Sequence, residues 1–291
     1  MTQEENRTLS MQFTRQDRID TVLKSPRAVA AHDKQAWMAI FARYNIVEDP
    51  VGSAPHVSGV FDRRSGVRGN GPLGRFYDCF IAPMQIVFHV DRDIVCGLSV
   101  VRDLTIEIRM SPRITLRVPM HLHYELVEED GQLKVQHLAA HWELWPMLKQ
   151  QMSFGLASLT AGIGLGRRMI GQLGFGGILD FMSAVNNIGQ AGKDRVAEFV
   201  AAFNQRAFAR IERQLSADFA GVACPAHAPL AGIAELAAVP GQLRLGKTLA
   251  AGNYITASFT LTDGPTTRQG VIFFEFNMHE KKIQRMRFYV D

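Results

Sequence analysis

Hydrophobic positions in residues 17–44 recur at helical spacing: Ile19, Val22 and Leu23, then Val29 and Ala30, then Trp37, Met38, Ile40 and Phe41. Residues three and four apart share one helix face, so this spacing predicts amphipathic helices with a buried stripe. Pro26 has no amide hydrogen and predicts either two helices or one kinked helix. The helical pattern from Trp37 to Tyr44 then gives way to a loop at Asp49-Pro50, which a helix cannot cross. Farther on the period changes to two. Runs at 85–90, 94–101, 104–110, 114–127 and 134–144 read as strands, and residues 105–110 alternate as a half-exposed antiparallel strand does. Ser111-Pro112-Arg113 and Glu129-Asp130-Gly131 supply turns. Helices followed by a strand meander predict an α+β fold, with about three helices covering one face of a curved antiparallel sheet.

The pattern breaks at 146–192. Residues 152–166 carry no charge, Arg167-Arg168 follows, and 169–179 are again uncharged. Each run is shorter than the ~20 residues a spanning helix needs, and two arginines between them oppose a buried span. Two readings stay open: glycine-bearing helices packed between domains, or an element lying on a membrane surface through residues 152–182. A second helix-then-strand pattern begins with Val196, Phe199, Val200, Phe203, Phe208 and Ile211, followed by strand-like runs at 242–250, 254–261, 270–278 and 283–290. The same order twice predicts an internal repeat. The expected organisation is a flexible N-terminus (1–14), a first domain (15–146), glycine-rich apolar linker helices (147–192) and a degenerate second domain (193–291). Residues 217–225 align without gaps on 42–50, which puts Cys224 where the first half has Asp49.

Composition narrows the function classes. A chain of 291 residues with 47% hydrophobic and 21% charged residues can build two cores. The net charge of +4 is too weak and dispersed to argue for nucleic acid. The polar, acid-containing start is not expected to act as a signal peptide. Cys79, Cys96 and Cys224 have neither metal nor redox spacing, which points to a reducing cytoplasm. His121 and His123 share a face of one predicted strand, and His137 and His141 share a face of the next. Such pairs can bind zinc, but if Leu122, Tyr124, Leu138 and Trp142 face inward, the histidines form an outward polar face that suits a domain interface. No metal and no cofactor is expected.

Asp49 is the chief candidate for chemistry. Pro50 biases it toward an extended conformation and Gly52 permits a turn, so a carboxylate sits on a rigid bend. Facing an apolar cavity, it would be a general base with a raised pKa; otherwise Asp-Pro is simply a common turn dipeptide. The segment Val47-Glu48-Asp49-Pro50-Val51-Gly52-Ser53-Ala54-Pro55 resembles the base-bearing segment of the bacterial Δ5-3-ketosteroid isomerases, which share the cone-shaped fold of nuclear transport factor 2 and SnoaL-like proteins. The likeness spans about residues 15–144 and, together with the internal repeat, implies two tandem cones of this fold. It also implies that Asp49 shuttles a proton between carbons of an apolar steroid- or polyketide-like carbonyl compound.

The family also holds the enolate oxygen with a helix tyrosine and a protonated strand aspartate. Here those positions fall on Ser25 and on Leu122 or His123, so neither is kept. Tyr77, in a Phe76-Tyr77 pair resembling the family's third helix, or His123, is the expected replacement donor. Tyr77 otherwise only packs its ring. His56, Phe76, Leu122, Tyr124, Ala140 and Trp142 are the expected substrate-lining residues. Arg63, Arg64 and Arg68 lie in an insertion at 60–70 that is either a loop at the cavity mouth or a solvated surface loop. The expected partners are an apolar small molecule and either the second cone, as an intramolecular pseudo-dimer, or another copy. The rival expectation is a non-catalytic lipid or small-molecule binding protein, or an interaction scaffold, of the same fold.

Overall fold

The computed structural model describes residues 13–59, 71–223 and 239–290. The residues before Phe13, the insertion with Arg63, Arg64 and Arg68, and Cys224 lie outside the described residues.

Helix α1 (Arg15–Ala30) starts with a reciprocal cap between Thr14 and Asp17. It runs through Pro26 without dividing, and the break comes at His32-Asp33, where Asp33 caps α2 (Lys34–Ala39). The helix expected to reach Tyr44 stops at Ala39. Residues Phe41–Glu48 form strand β1 instead, because they pair with β6 on one side and β2 on the other. Tertiary pairing overrides the local helical spacing here.

Strand β2 (His56–Ser58), helix α3 (Gly71–Phe76) and a π-helical turn (Tyr77–Ile81) lead into the meander. Its strands are β3 (Gln85–Cys96), β4 (Ser99–Ser111), β5 (Ile114–Glu129) and β6 (Gln132–His141). The run 94–101, expected to be one strand, is the end of β3, a turn at Gly97 (φ 59°) and the start of β4. Apolar residues on both sides of that turn hide it from a hydrophobicity pattern.

The sheet order is β2-β1-β6-β5-β4-β3, antiparallel except for β1 beside β6. Helices α1 and α2 cover its inner face, where Val22, Val29 and Trp37 meet Val100, Leu104, Leu122, Tyr124, Leu126 and Leu138.

Helix α4 (Leu144–Met152) and α5 (Leu156–Met182, kinked at Gly174) follow. Next come α6 (Gly189–Asn204), α7 (Phe208–Glu212) and strands β7 (Val222–Ala223), β8 (Gln242–Ala251), β9 (Tyr254–Asp263), β10 (Thr266–Asn277) and β11 (Lys282–Val290). Their order, β7-β11-β10-β9-β8, again places a short strand parallel to the last one. The tandem α+β architecture expected from the repeat is therefore present. The second interior is packed by Phe199, Phe203, Phe259, Phe274 and Phe276.

The two sheets meet through their outer faces. Ile94, Cys96 and Val101 from the first pack on Val271, Phe273 and Tyr289 from the second. No described helix is long and apolar enough to cross a membrane.

Candidate functional site

Alternation along β1 decides where the base points. Val47 turns inward and is wholly buried, while Glu48 turns outward to His137, 2.8 Å away. Asp49, one residue on, returns to the inner face. The pairing with β6 ends at Glu48↔Ala139, and three residues on the Val51 amide donates to the Ala140 carbonyl at 2.9 Å.

The bend itself is clamped. Gly52 adopts φ +99°, and a Cβ there would stand 2.7 Å from the Gly252 Cα in the β8–β9 turn of the second half. Ser183 Oγ donates to the Gly52 carbonyl at 3.0 Å. The second half thus braces the loop that holds Asp49.

Among the described residues Asp49 has one polar partner: the Trp142 indole donates to Oδ1 at 2.7 Å. Burial raises its pKa from 3.8 to about 6, and the indole bond opposes that shift. A carboxylate so placed is basic enough to take a proton and acidic enough to return it near neutral pH.

The inner face continues this stripe. Leu122 pairs with Ala140, and Tyr124 with Leu138. All four are inward members of the same core as Trp142. Leu122, Tyr124, Ala140 and Trp142 therefore share one inner core, and Trp142 connects it to Asp49.

His56 and Phe76 meet at 5.0 Å. His56 lines a cavity of about 430 Å³ with Arg75, Phe80, Asp180 and Phe181, between the segment after Asp49, α3 and α5. Burial first, then Arg75, lowers its pKa to about 4, so its ring is neutral.

Of the two expected donors, His123 is elsewhere. His123 lies on the outer face against Phe273 (5.5 Å) and Tyr289 (5.1 Å), because it is one residue out of phase with Leu122 and Tyr124. Tyr77 lies in the same inner core, and among the described residues its buried hydroxyl has no hydrogen-bond partner.

The inner face also carries a polar cluster of Ser25, Tyr124 and Arg102, of which Arg102 is the member not expected from the sequence. Ser25 accepts from the Trp37 indole at 3.2 Å. The Tyr124 hydroxyl lies against Ser25 and Arg102; burial, the largest influence, raises its pKa while these two contacts lower it. Arg102 is 2% exposed and faces inward between Val100 and Leu104. The signal was present as an arginine in phase with two buried apolar residues of a strand.

His121 and His141 line the seam between the sheets, His121 Nδ1 lying 2.8 Å from Thr256 Oγ1. Among the described residues, no group of three His, Cys, Asp or Glu is placed to hold a metal ion.

No protein-family model and no curated protein matches this chain. Solved structures do. A Δ5-3-ketosteroid isomerase from Mycobacterium sp. is 25% identical over 43% of this chain and 92% of its own, with a TM-score of 0.35. A Mycobacterium tuberculosis protein in complex with estradiol-17beta-hemisuccinate is 23% identical over 45% and 96%, with a TM-score of 0.36. An M. tuberculosis LEH-like epoxide hydrolase is 17% identical over 50% and 97%, with a TM-score of 0.37. The fold assignment rests on the strand order and helix placement described above.

Proposed function

We propose that the first cone binds an apolar, steroid- or polyketide-like carbonyl compound and that Asp49 moves a proton between two of its carbons, as in migration of a double bond into conjugation. The observation that carries this reading is the Asp49 carboxylate on the inner face, with one indole donor at 2.7 Å and a pKa raised by burial to about 6. A solvated turn aspartate would have neither. Val47, Leu122, Ala140 and Trp142 around it suit an apolar ligand. The second half acts as a brace, holding the Asp49 bend through the Gly52–Gly252 contact.

The test is double-bond migration in a 5-ene-3-ketosteroid with the native chain and with Asp49→Asn. Turnover well above buffer that collapses in the variant supports the reading. Absence of turnover in both sinks it.

A second reading, a non-catalytic carrier of apolar ligands, is favoured by one feature of α5. Leu156, Ile163, Phe175 and Leu179 are exposed there, a face suited to a membrane surface from which such a ligand is collected. Saturable steroid binding without turnover in the native chain selects this alternative.

A further inference from the structure

The cavity of about 430 Å³ beside residues 53–56 has walls from α3 and from α5 on both sides of its kink. Its volume is in the range of small-molecule sites. Asp49 is not among its lining residues, so what this cavity binds does not depend on proton transfer by Asp49. One wall is bare backbone, because Gly174, Gly176 and Gly177 line it. A Cβ added at Gly174 or Gly176 would meet nothing within 4 Å. The helix is broken at Gly174 (φ 71°, ψ 178°), which turns its last two turns against the cavity.

The polar lining carries charges of both signs. Arg75 comes from α3 and Asp180 from α5. Among the described residues neither side chain forms an ion pair or a hydrogen bond, with the other or with a third group. Opposite charges that face one concavity without neutralising each other complement a ligand that carries both. A simple anion would meet the Asp180 carboxylate, and a simple cation the Arg75 guanidinium. His56, neutral beside Arg75, offers one ring N–H donor. Phe80 and Phe181 stack at 5.1 Å with their planes 21° apart, next to Asp180 in the chain. Aromatic rings beside a carboxylate suit a quaternary ammonium better than a primary amine, which would need several hydrogen-bond acceptors.

The last turns of α5 also present a second face. Phe175, Leu179 and Met182 are spaced four and three apart and are exposed, while Gly174, Gly177 and Phe181 turn to the cavity. An apolar strip thus runs beside a charged hollow. We infer that this cavity binds the headgroup of a choline phospholipid, with the phosphate on Arg75 and His56, the trimethylammonium between Asp180 and the Phe80–Phe181 pair, and the acyl chains along Phe175, Leu179 and Met182. A guanidinium holds two phosphate oxygens at once, which fixes the headgroup as well as attracting it.

The experiment titrates the full native chain calorimetrically with four probes: dihexanoylphosphatidylcholine below its micellar concentration, phosphocholine, choline and inorganic phosphate. Saturable binding of the short-chain lipid is expected, with phosphocholine about tenfold weaker and choline and phosphate each at least about tenfold weaker again. Arg75→Gln should weaken the lipid about tenfold and leave choline within about twofold. Asp180→Asn should weaken lipid and choline about threefold without weakening phosphate. Asp180 is exposed and Arg75 partly so, and neither substitution should disturb folding.

No saturable binding of either choline phosphate overturns the inference. So does phosphate binding as tightly as phosphocholine, which would mark a plain anion site, or lipid affinity unchanged by Arg75→Gln. Equal affinity for phosphocholine and the short-chain lipid overturns the lipid as the source of the headgroup. The comparison among the four probes is made on the native chain and needs neither variant.

Discussion

Lowering the pH from 7 to 5 should weaken the seam between the two sheets, and His123 isolates part of the effect. Its ring is 2% exposed, between Phe273 and Tyr289. Burial pushes its pKa down from 6.5 to about 3; Glu125 opposes this, while Arg287 and His137 add to it. The folded state therefore binds fewer protons than the unfolded chain, and stability falls as pH drops below the unfolded value of about 6.5. At pH 5 the unfolded chain gains RT ln(1 + 10^1.5), about 2 kcal/mol, that the folded chain does not; at pH 7 the same expression gives about 0.2 kcal/mol. The result hardly depends on the folded value, provided that it lies well below 5. His121 and His141 are also held below their ordinary pKa by burial and add losses of the same sign. His123→Phe keeps an aromatic ring among Phe273 and Tyr289 but cannot be protonated. Urea denaturation of both proteins at pH 7 and pH 5 gives the comparison: the variant should lose about 2 kcal/mol less than the native chain on acidification. Equal losses would refute the assignment of His123 as a buried neutral ring.

Three further outcomes follow from the same structure. Asp49→Asn should raise stability at pH 8 by about 2–3 kcal/mol, because a carboxylate whose pKa rises from 3.8 to about 6 on folding costs stability above that range; chemical denaturation at pH 8 and pH 3.5 checks it, with little gain expected at the lower pH. Gly52→Ala should cost about 1–3 kcal/mol and reduce turnover, since it combines φ +99° with a Cβ 2.7 Å from the Gly252 backbone; thermal denaturation and the isomerase assay read both effects. His137 is partly desolvated, but Glu125 and Glu48 outweigh this and raise its pKa to about 9; its contribution is complete below about 6.5 and disappears as pH rises through 9, so His137→Phe should flatten the alkaline side of the stability profile by about 1–2 kcal/mol.

Much of the fold was legible before any coordinates. Period-two runs located the meander strands, and the repeated order located the second sheet, because a sheet with one buried face must alternate. Strand β1 was not legible: its Phe41, Ile46 and Val47 read equally well as part of a helix, and only pairing with Val135, His137 and Leu138 made it a strand. The turn at Gly97 was hidden for a related reason, as both faces of the sheet are buried on either side of it.

The site divides in the same way. Asp49 could be named from its proline-bounded bend, while Trp142, Leu122, Tyr124 and Ala140 could be named as one inward stripe by alternation and as candidate lining only through the family resemblance. Whether His123 or Leu122 looks into the cone could not be, because a one-residue slip exchanges the faces and the pairing register alone settles it. The rise in the Asp49 pKa, the contact of Tyr124 with Arg102 and the brace of Gly252 against Gly52 all come from groups distant in the chain. Desolvation and close contact depend on what surrounds a residue in space. The sequence by itself determined which residues were available for chemistry; the tertiary structure decided which of them face one another.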